Sequence, residues 1–229
     1  MKTSNHHSAR HSASGRRLAL RSVSGSHPRP ASDLRIISGL YKGQRLRSPE
    51  SALTHPMGAR EKLALFNLLQ PYLNHESKVL DLYAGSGALG IEALSRGASR
   101  VVFVEKSPRI AHLITENLAA LNPAPENLPV PSPTPDQSLP ARPSVQVFPE
   151  PVSTFCGRPE YLSYFDIILA DPPYDNFHPE DFANISRILA EGGVFILSSP
   201  AKINPPEIPG LQQETTRTYA AARLTVYHR

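Results

Sequence analysis

A chain of 229 residues with 40% hydrophobic content can fill one good core with appendages, and it carries a formal net charge of +4. No apolar run approaches the ~20 residues of a membrane span, the basic N-terminus lacks the apolar centre of a secretory signal, and the single cysteine, Cys156, permits no internal disulfide. These features argue against a helical membrane protein and a disulfide scaffold, and the expectation is a monomeric, cytoplasmic protein.

Residues 1–33 read as a disordered basic tail. Positions 1–32 hold six basic and no acidic residues and almost nothing apolar to offset the entropy of ordering. His6, His7 and His11 form no metal-ligand framework there. Residues 34–58 follow as a β-hairpin and loop, with two strand-like runs around Gly39 and Gly43. Arg35, Lys42, Arg45 and Arg47, continued by Arg60 and Lys62, are set against Glu50 and Glu61. This cluster reads as a footprint for a polyanion or as a solvated face.

From 59 onward the pattern is that of one α/β domain. Leu63, Phe66, Leu69 and Leu73 recur at helical spacing and predict a helix over 59–73. Strands are predicted at 78–82, 101–105, 145–147, 165–170 and 193–198, with helices up to 94 and over 108–121 and 179–190 between them. Ser107 and Pro108 make a fitting N-cap and N1 pair. Two tightly joined strands, 214–219 and 222–227, close the chain. Repeated β–α units predict a doubly wound, mostly parallel sheet. Residues 122–143 interrupt it with eight prolines in twenty-two residues and read as an inserted spacer loop.

Two motifs carry chemistry. Val79-Leu-Asp-Leu-Tyr-Ala-Gly-Ser-Gly-Ala-Leu-Gly90 places a strand, a glycine turn and a helix in succession. Glu105 stands twenty residues after Gly85 at the next strand end, where a carboxylate accepts the two hydroxyls of an adenosine ribose. This spacing also satisfies a dinucleotide fingerprint, so it leaves the cofactor open. Asp81, under the loop, suits a cationic amino acid moiety better than a pyrophosphate. The second motif is Asp171-Pro172-Pro173-Tyr174, delivered by the apolar strand Tyr164-Phe-Asp-Ile-Ile-Leu-Ala170 to its carboxyl end. It is an ordinary strand stop, or a clamp for an amino-bearing base. A carboxylate and acceptor-only prolyl carbonyls can localise the amino lone pair, and Tyr174 can stack on the ring. Cys156 follows Phe155 rather than the proline of a Pro-Cys nucleophile pair and is expected to be structural, and no metal is expected.

At these residues the chain resembles the RsmD-like guanine-N2 methyltransferases of bacterial 16S ribosomal RNA, within the class I S-adenosylmethionine-dependent enzymes. The resemblance rests on Arg35-Ile-Ile-Ser-Gly, Tyr41-Lys-Gly-Gln-Arg-Leu46, Ala64-Leu-Phe-Asn67, the stretch from Asp81 to Ala98, Val102-Phe-Val-Glu-Lys106 and Asp171-Pro-Pro-Tyr174. It implies a Rossmann-like seven-stranded sheet with an antiparallel last strand, preceded by a hairpin extension that engages RNA. It implies S-adenosyl-L-methionine as cofactor, with contacts at Asp81, Gly85, Gly87 and Glu105, and base contacts at Asp171 through Tyr174. Tyr83, inside the loop, joins the expected cofactor set. The expected substrate is 16S ribosomal RNA, free, in an assembly intermediate or in the 30S particle. The alternatives are a DNA adenine or cytosine amino-methyltransferase, a dinucleotide-dependent oxidoreductase and a catalytically idle RNA-binding module that keeps the basic hairpin. Three stretches depart from the family pattern: Ala59 replaces an Asp, His55-Pro-Met-Gly58 replaces an Arg-Pro-Thr type loop, and Phe148-Pro-Glu-Pro151 replaces a Gly-Asp whose acid contacts the adenine. Glu150 is the nearest candidate for that last contact.

Overall fold

The computed structural model describes residues 34–49, 57–122, 143–219 and 221–229. The basic tail and nearly all of the proline-rich insertion lie outside them. In chain order the elements are α1 (Ala59–Leu69), β1 (Lys78–Leu82), α2 (Ala88–Ser95), β2 (Arg100–Val104), α3 (Pro108–Ala119), β3 (Ser144–Phe148), α4 (Val152–Phe155), β4 (Phe165–Ala170), α5 (Ile185–Ile188), β5 (Leu189–Pro200), β6 (Gln212–Tyr219) and β7 (Ala222–His228). The strands form one sheet in the order β3-β2-β1-β4-β5-β7-β6. The first five run parallel, and β7 inserts antiparallel between β5 and β6. No helix among the described residues is long and apolar enough to cross a membrane.

The apolar runs of β1, β2 and β4 are explained by burial on both faces. Val79, Val101, Phe103, Ile167 and Leu169 join one core cluster with residues of α1, α2 and α3. Their alternating neighbours Leu80, Val102, Val104 and Ile168 join a second, built around Phe155, Tyr161, Phe165 and Phe182. The chain winds outward from β1 to β3, then crosses back to place β4 on the other side of β1. That reversal opens a crevice at the carboxyl ends of β1 and β4, where ligands of open α/β sheets bind.

The hairpin pairs Arg35 with Arg45 through a single antiparallel bridge, and its Leu34, Ile36, Tyr41 and Leu46 join the first core cluster. It docks on α2: Glu92, fully buried, accepts from the backbone N–H groups of Ile37 (2.8 Å) and Ser38 (2.9 Å), and Ser95 Oγ accepts from Tyr41 N (2.9 Å).

Two predicted helices are corrected. α1 ends at Leu69, and Leu63 faces solvent while Leu65 takes the core position. The expected helix over 179–190 is two short turns, Pro179–Phe182 and α5, after which Leu189 already pairs with Phe165 of β4. Glu191-Gly-Gly193 breaks helical continuation, and the register jump between Phe165 and Ile167 lets the glycine segment loop out of β5.

Candidate active site

The crevice is a cleft of about 700 Å³. Its floor begins with Asp81 at the end of β1, 1% exposed, whose Oδ2 accepts from the N–H of Gly90 at 2.8 Å. Burial holds its carboxyl well above the usual carboxylate range, the Gly90 N–H opposes this, and the charges of Asp171 and Glu105 add to it. The loop beyond folds through left-handed residues, Tyr83 at φ +56°, Gly85 at +55° and Gly87 at +80°. A side chain at the Tyr83 position costs on the order of 1 kcal/mol in that conformation. Its hydroxyl donates to Asp181 Oδ2 at 2.7 Å and its ring meets Phe182 edge-on, which holds it there.

Glu105, at the end of β2, is fixed by backbone: Oε2 accepts from Gly85 N (3.0 Å) and Oε1 from Ser107 N (2.9 Å). The glycine loop and the ribose-type carboxylate are thereby one rigid unit, with the remaining lone pairs of Glu105 free to accept. Ser107 caps α3 as its sequence predicts, with Pro108 following. A Cβ on Gly85 would meet no atom closer than the Tyr83 carbonyl at 3.8 Å, so ligand can approach its backbone closely.

Asp171 to Tyr174, delivered by β4 beside β1, line the same cleft. Burial pushes the Asp171 carboxyl up to about 6, and a hydrogen bond from Ser198 opposes that rise. The Tyr174 hydroxyl lies 2.9 Å from Ser198 Oγ. The lining holds six carboxylates, Glu61, Asp81, Glu105, Asp171, Asp175 and Asp181, against two lysines, Lys62 and Lys106. Lys62 is already paired with Glu92 at 3.3 Å. Such a field suits a sulfonium, an ammonium and ribose hydroxyls, and it disfavours a pyrophosphate.

Of the residues singled out from sequence, Asp81, Tyr83, Gly85, Glu105, Asp171, Pro172, Pro173 and Tyr174 line this one cleft. Gly87 does not: it is the N-cap of α2, and a Cβ there would press on Ile114, Ile91 and Phe103. Glu150 is also absent from the lining. Both its oxygens are held by Arg158, at 2.8 and 3.1 Å, while its chain neighbours Pro151, Val152 and Ser153 line the cleft. Lys62 is corrected as a surface cation: it is 2% exposed, donating to the Arg35 carbonyl at 2.6 Å besides its bond to Glu92. Arg35, Lys42, Arg45 and Arg47 stay with the hairpin. Arg60 borders a separate, smaller recess with Leu63, Asn67 and Tyr219.

Sequence reasoning missed Ser198, Asp181 and Glu92. Ser198 and Ser199 ending an apolar strand were the available signal for the first. Glu92 inside the apolar run Ala88–Ser95 was the signal for the last, because a lone acid there demands buried partners.

The family described as conserved hypothetical protein 95 matches residues 34–130. A Haemophilus influenzae protein named ribosomal RNA small subunit methyltransferase D is 35% identical over 147 residues, 64% of this chain and 67% of that protein. The Escherichia coli K12 protein of the same name is 40% identical over 88 residues, 38% of this chain and 44% of that one. Among solved structures, the putative methyltransferase yhhF of Escherichia coli superposes with a TM-score of 0.67 at 25% identity, covering 86% of this chain and 97% of that one. The chain belongs to the ribosomal RNA small subunit methyltransferase D family of S-adenosylmethionine-dependent methyltransferases.

Proposed function

We propose that the protein methylates the exocyclic N2 amino group of a guanine in 16S ribosomal RNA, acting as a cytoplasmic monomer. The observation that carries this is the meeting, in one acidic cleft, of a backbone-fixed glycine loop with Glu105 and of Asp171-Pro-Pro-Tyr174. The small-subunit substrate is supported by the names of the Haemophilus and Escherichia relatives.

Asp81, Gly85 and Glu105 are the residues suited to hold S-adenosylmethionine, which when bound supplies a methyl group on a positively charged sulfur. Asp171 to Tyr174 prepare the nucleophile. Above pH 6 Asp171 is an anion and accepts one N–H of the base amino group, and the carbonyl of Pro172 accepts the second. Two acceptors draw the lone pair out of conjugation onto N2, and fixed placement supplies most of the remaining rate. Tyr174, tethered through its hydroxyl, offers its ring to the face of an extruded base. Asp171 or solvent takes the proton that N2 loses once alkylated.

The hairpin and loop of residues 34–58, with Arg35, Lys42, Arg45 and Arg47, and Arg60 beside them, form the RNA-engaging extension of a methyltransferase domain spanning 59–229. The test is incubation of labelled S-adenosylmethionine with naked 16S RNA, 30S particles and duplex DNA, followed by digestion to nucleosides. N2-methylguanosine from either RNA substrate is expected, and the better of the two substrates identifies the physiological partner. Methyladenine or N4-methylcytosine from the duplex would transfer the reading to a DNA amino-methyltransferase, and binding of NAD without S-adenosylmethionine would overturn it altogether.

A further inference from the structure

Ser198 stands between the two side chains that make up the base wall. It lies near the carboxyl end of β5, is followed by the equally buried Ser199, and is itself 0% exposed. Parallel pairing aligns Ala170 of β4 with Leu197 of β5, so the next positions, Asp171 and Ser198, are neighbours across the strands on the same face. Its hydroxyl lies 2.9 Å from the Tyr174 hydroxyl and, across the aligned strands, faces the Asp171 carboxyl, whose charged form it favours by hydrogen bonding. A serine hydroxyl has a single proton. Asp171 as an anion can accept but not donate, so the proton of Ser198 goes to Asp171, and Tyr174 must donate to Ser198.

We propose that Ser198 is a positioning residue for methyl transfer, orienting Asp171 and the ring of Tyr174 through a directed chain of hydrogen bonds from Tyr174 through Ser198 to Asp171. This rests on the base-wall reading given above. A charge-assisted bond into a buried carboxylate favours its anionic form and fixes which lone pairs remain for the incoming amino group. The same hydroxyl, as acceptor, sets the tilt of the Tyr174 ring. The other charged groups lining the cleft are Asp81 on β1, Glu105 and Lys106 after β2, Glu61 and Lys62 on α1, and Asp175 and Asp181 on the loop after β4. Asp81 is itself held above the usual range, and Lys62 is committed to Glu92. Ser198 is the hydrogen-bond donor within this set that acts on Asp171.

Two readouts test this, and the first does not depend on catalysis. The Asp171 carboxyl is titrated by carbon-13 NMR, its signal identified by its loss in Asp171→Asn. In Ser198→Ala the midpoint should rise by about one pH unit from its position near 6, and Ser198→Thr, which keeps the hydroxyl, should hold it in place. The second readout is the pH profile of methyl transfer to 16S RNA. The acid limb of Ser198→Ala should move upward in step, with kcat lowered at least tenfold near pH 6.5 and less above pH 8, while the KM for S-adenosylmethionine stays within twofold. Tyr174→Phe, which cuts the first link only, should lower kcat without moving the acid limb. An unmoved Asp171 midpoint in Ser198→Ala overturns the proposal. So does a loss of thermal stability unaccompanied by any shift in the acid limb. If the wild-type protein transfers no methyl to RNA, the assigned reaction fails, yet the NMR midpoint still decides whether Ser198 controls Asp171.

Discussion

In the proposed mechanism Asp171 places function and stability in opposition. Its carboxyl sits at about 6 in the fold, above the ordinary carboxylate range, so the fold prefers it protonated. The stabilising contribution of that preference is complete in acid and is lost as pH rises through about 6, leaving a cost at the pH where the anion is needed. The shift corresponds to about 3 kcal/mol at most, and access to cleft water reduces this to on the order of 1–2 kcal/mol. Asp171→Asn should therefore melt about 2–6 °C above the wild type at pH 8 and together with it at pH 4. It should also lose at least 100-fold in kcat, and an Asn variant that is neither more stable nor slower would remove Asp171 from the mechanism. Catalysis by the native protein should fall about tenfold per pH unit below 6. Cys156 illustrates the opposite outcome of burial: its thiol is pushed up to about 12, so iodoacetamide at pH 8 should label it in urea and spare it in the native state. The acid at 171 was legible in the sequence because a Pro-Pro turn follows a buried strand. Its titration was not, because that depends first on burial in the folded cleft and then on Ser198, which lies 27 residues further on and is brought beside it by the register of β4 and β5.

At the scale of elements, the decisive interaction is the one that docks the hairpin. Glu92 receives the N–H groups of Ile37 and Ser38 from the hairpin, the ammonium of Lys62 from α1 and the guanidinium of Arg96 from its own helix. Asn117 of α3 repeats the device, exchanging hydrogen bonds with the backbone of Arg47 while donating to the Ser86 carbonyl in the cofactor loop. The hairpin is thus tied to the same helices that frame the cleft. Truncating Glu92 leaves Lys62 buried without its counter-ion, so Glu92→Ala should destabilise by about 3–5 kcal/mol, measured by urea unfolding. A gentler probe is Gly39→Ala, where φ is +82° and a Cβ would overlap the Ser95 carbonyl. This should displace the hairpin and expose 34–49 to protease while S-adenosylmethionine still binds, and an unchanged digestion pattern would show that the turn can shift at little cost. The hairpin itself was legible from its glycines and alternating residues. The burial of Lys62 was not, since a lysine three residues into an amphipathic helix reads as solvent-facing until Glu92 is seen beneath it. The false helix over 179–190 has a related cause: Phe182, Ile185, Ile188 and Leu189 mimic helical spacing, but their apolar faces serve separate short segments packed on the sheet.

Across the whole molecule, charge is divided by task. The cleft concentrates carboxylates, and the hairpin segment carries Arg35, Lys42, Arg45 and Arg47, none of which lines the cleft although Leu34, Ser48 and Pro49 of the same segment do. Sheet order makes this division, because the switch between β1 and β4 gathers strand-end acids at one rim while the hairpin is anchored on α2 and α3. The two surfaces should respond differently to ionic strength. RNA binding releases counterions, so the KM for 16S RNA should climb steeply with salt, with a slope that falls by about 0.7–0.9 for each phosphate contact removed. Lys42 is exposed at the hairpin turn, and Lys42→Ala should reduce that slope by about one contact without altering kcat. The affinity for S-adenosylhomocysteine should barely change over the same salt range in either protein, because the residues suited to hold it, Asp81 and Glu105, are buried and little screened. At a hundredfold excess over Kd that ligand should stabilise the fold by about 2.7 kcal/mol, read as a melting shift of several degrees, whereas NAD, carrying a pyrophosphate into a ring of carboxylates, should give none. A salt slope unchanged by Lys42→Ala would move the RNA path away from the hairpin turn, and equal shifts with both ligands would mean that the acidic lining does not select the cofactor.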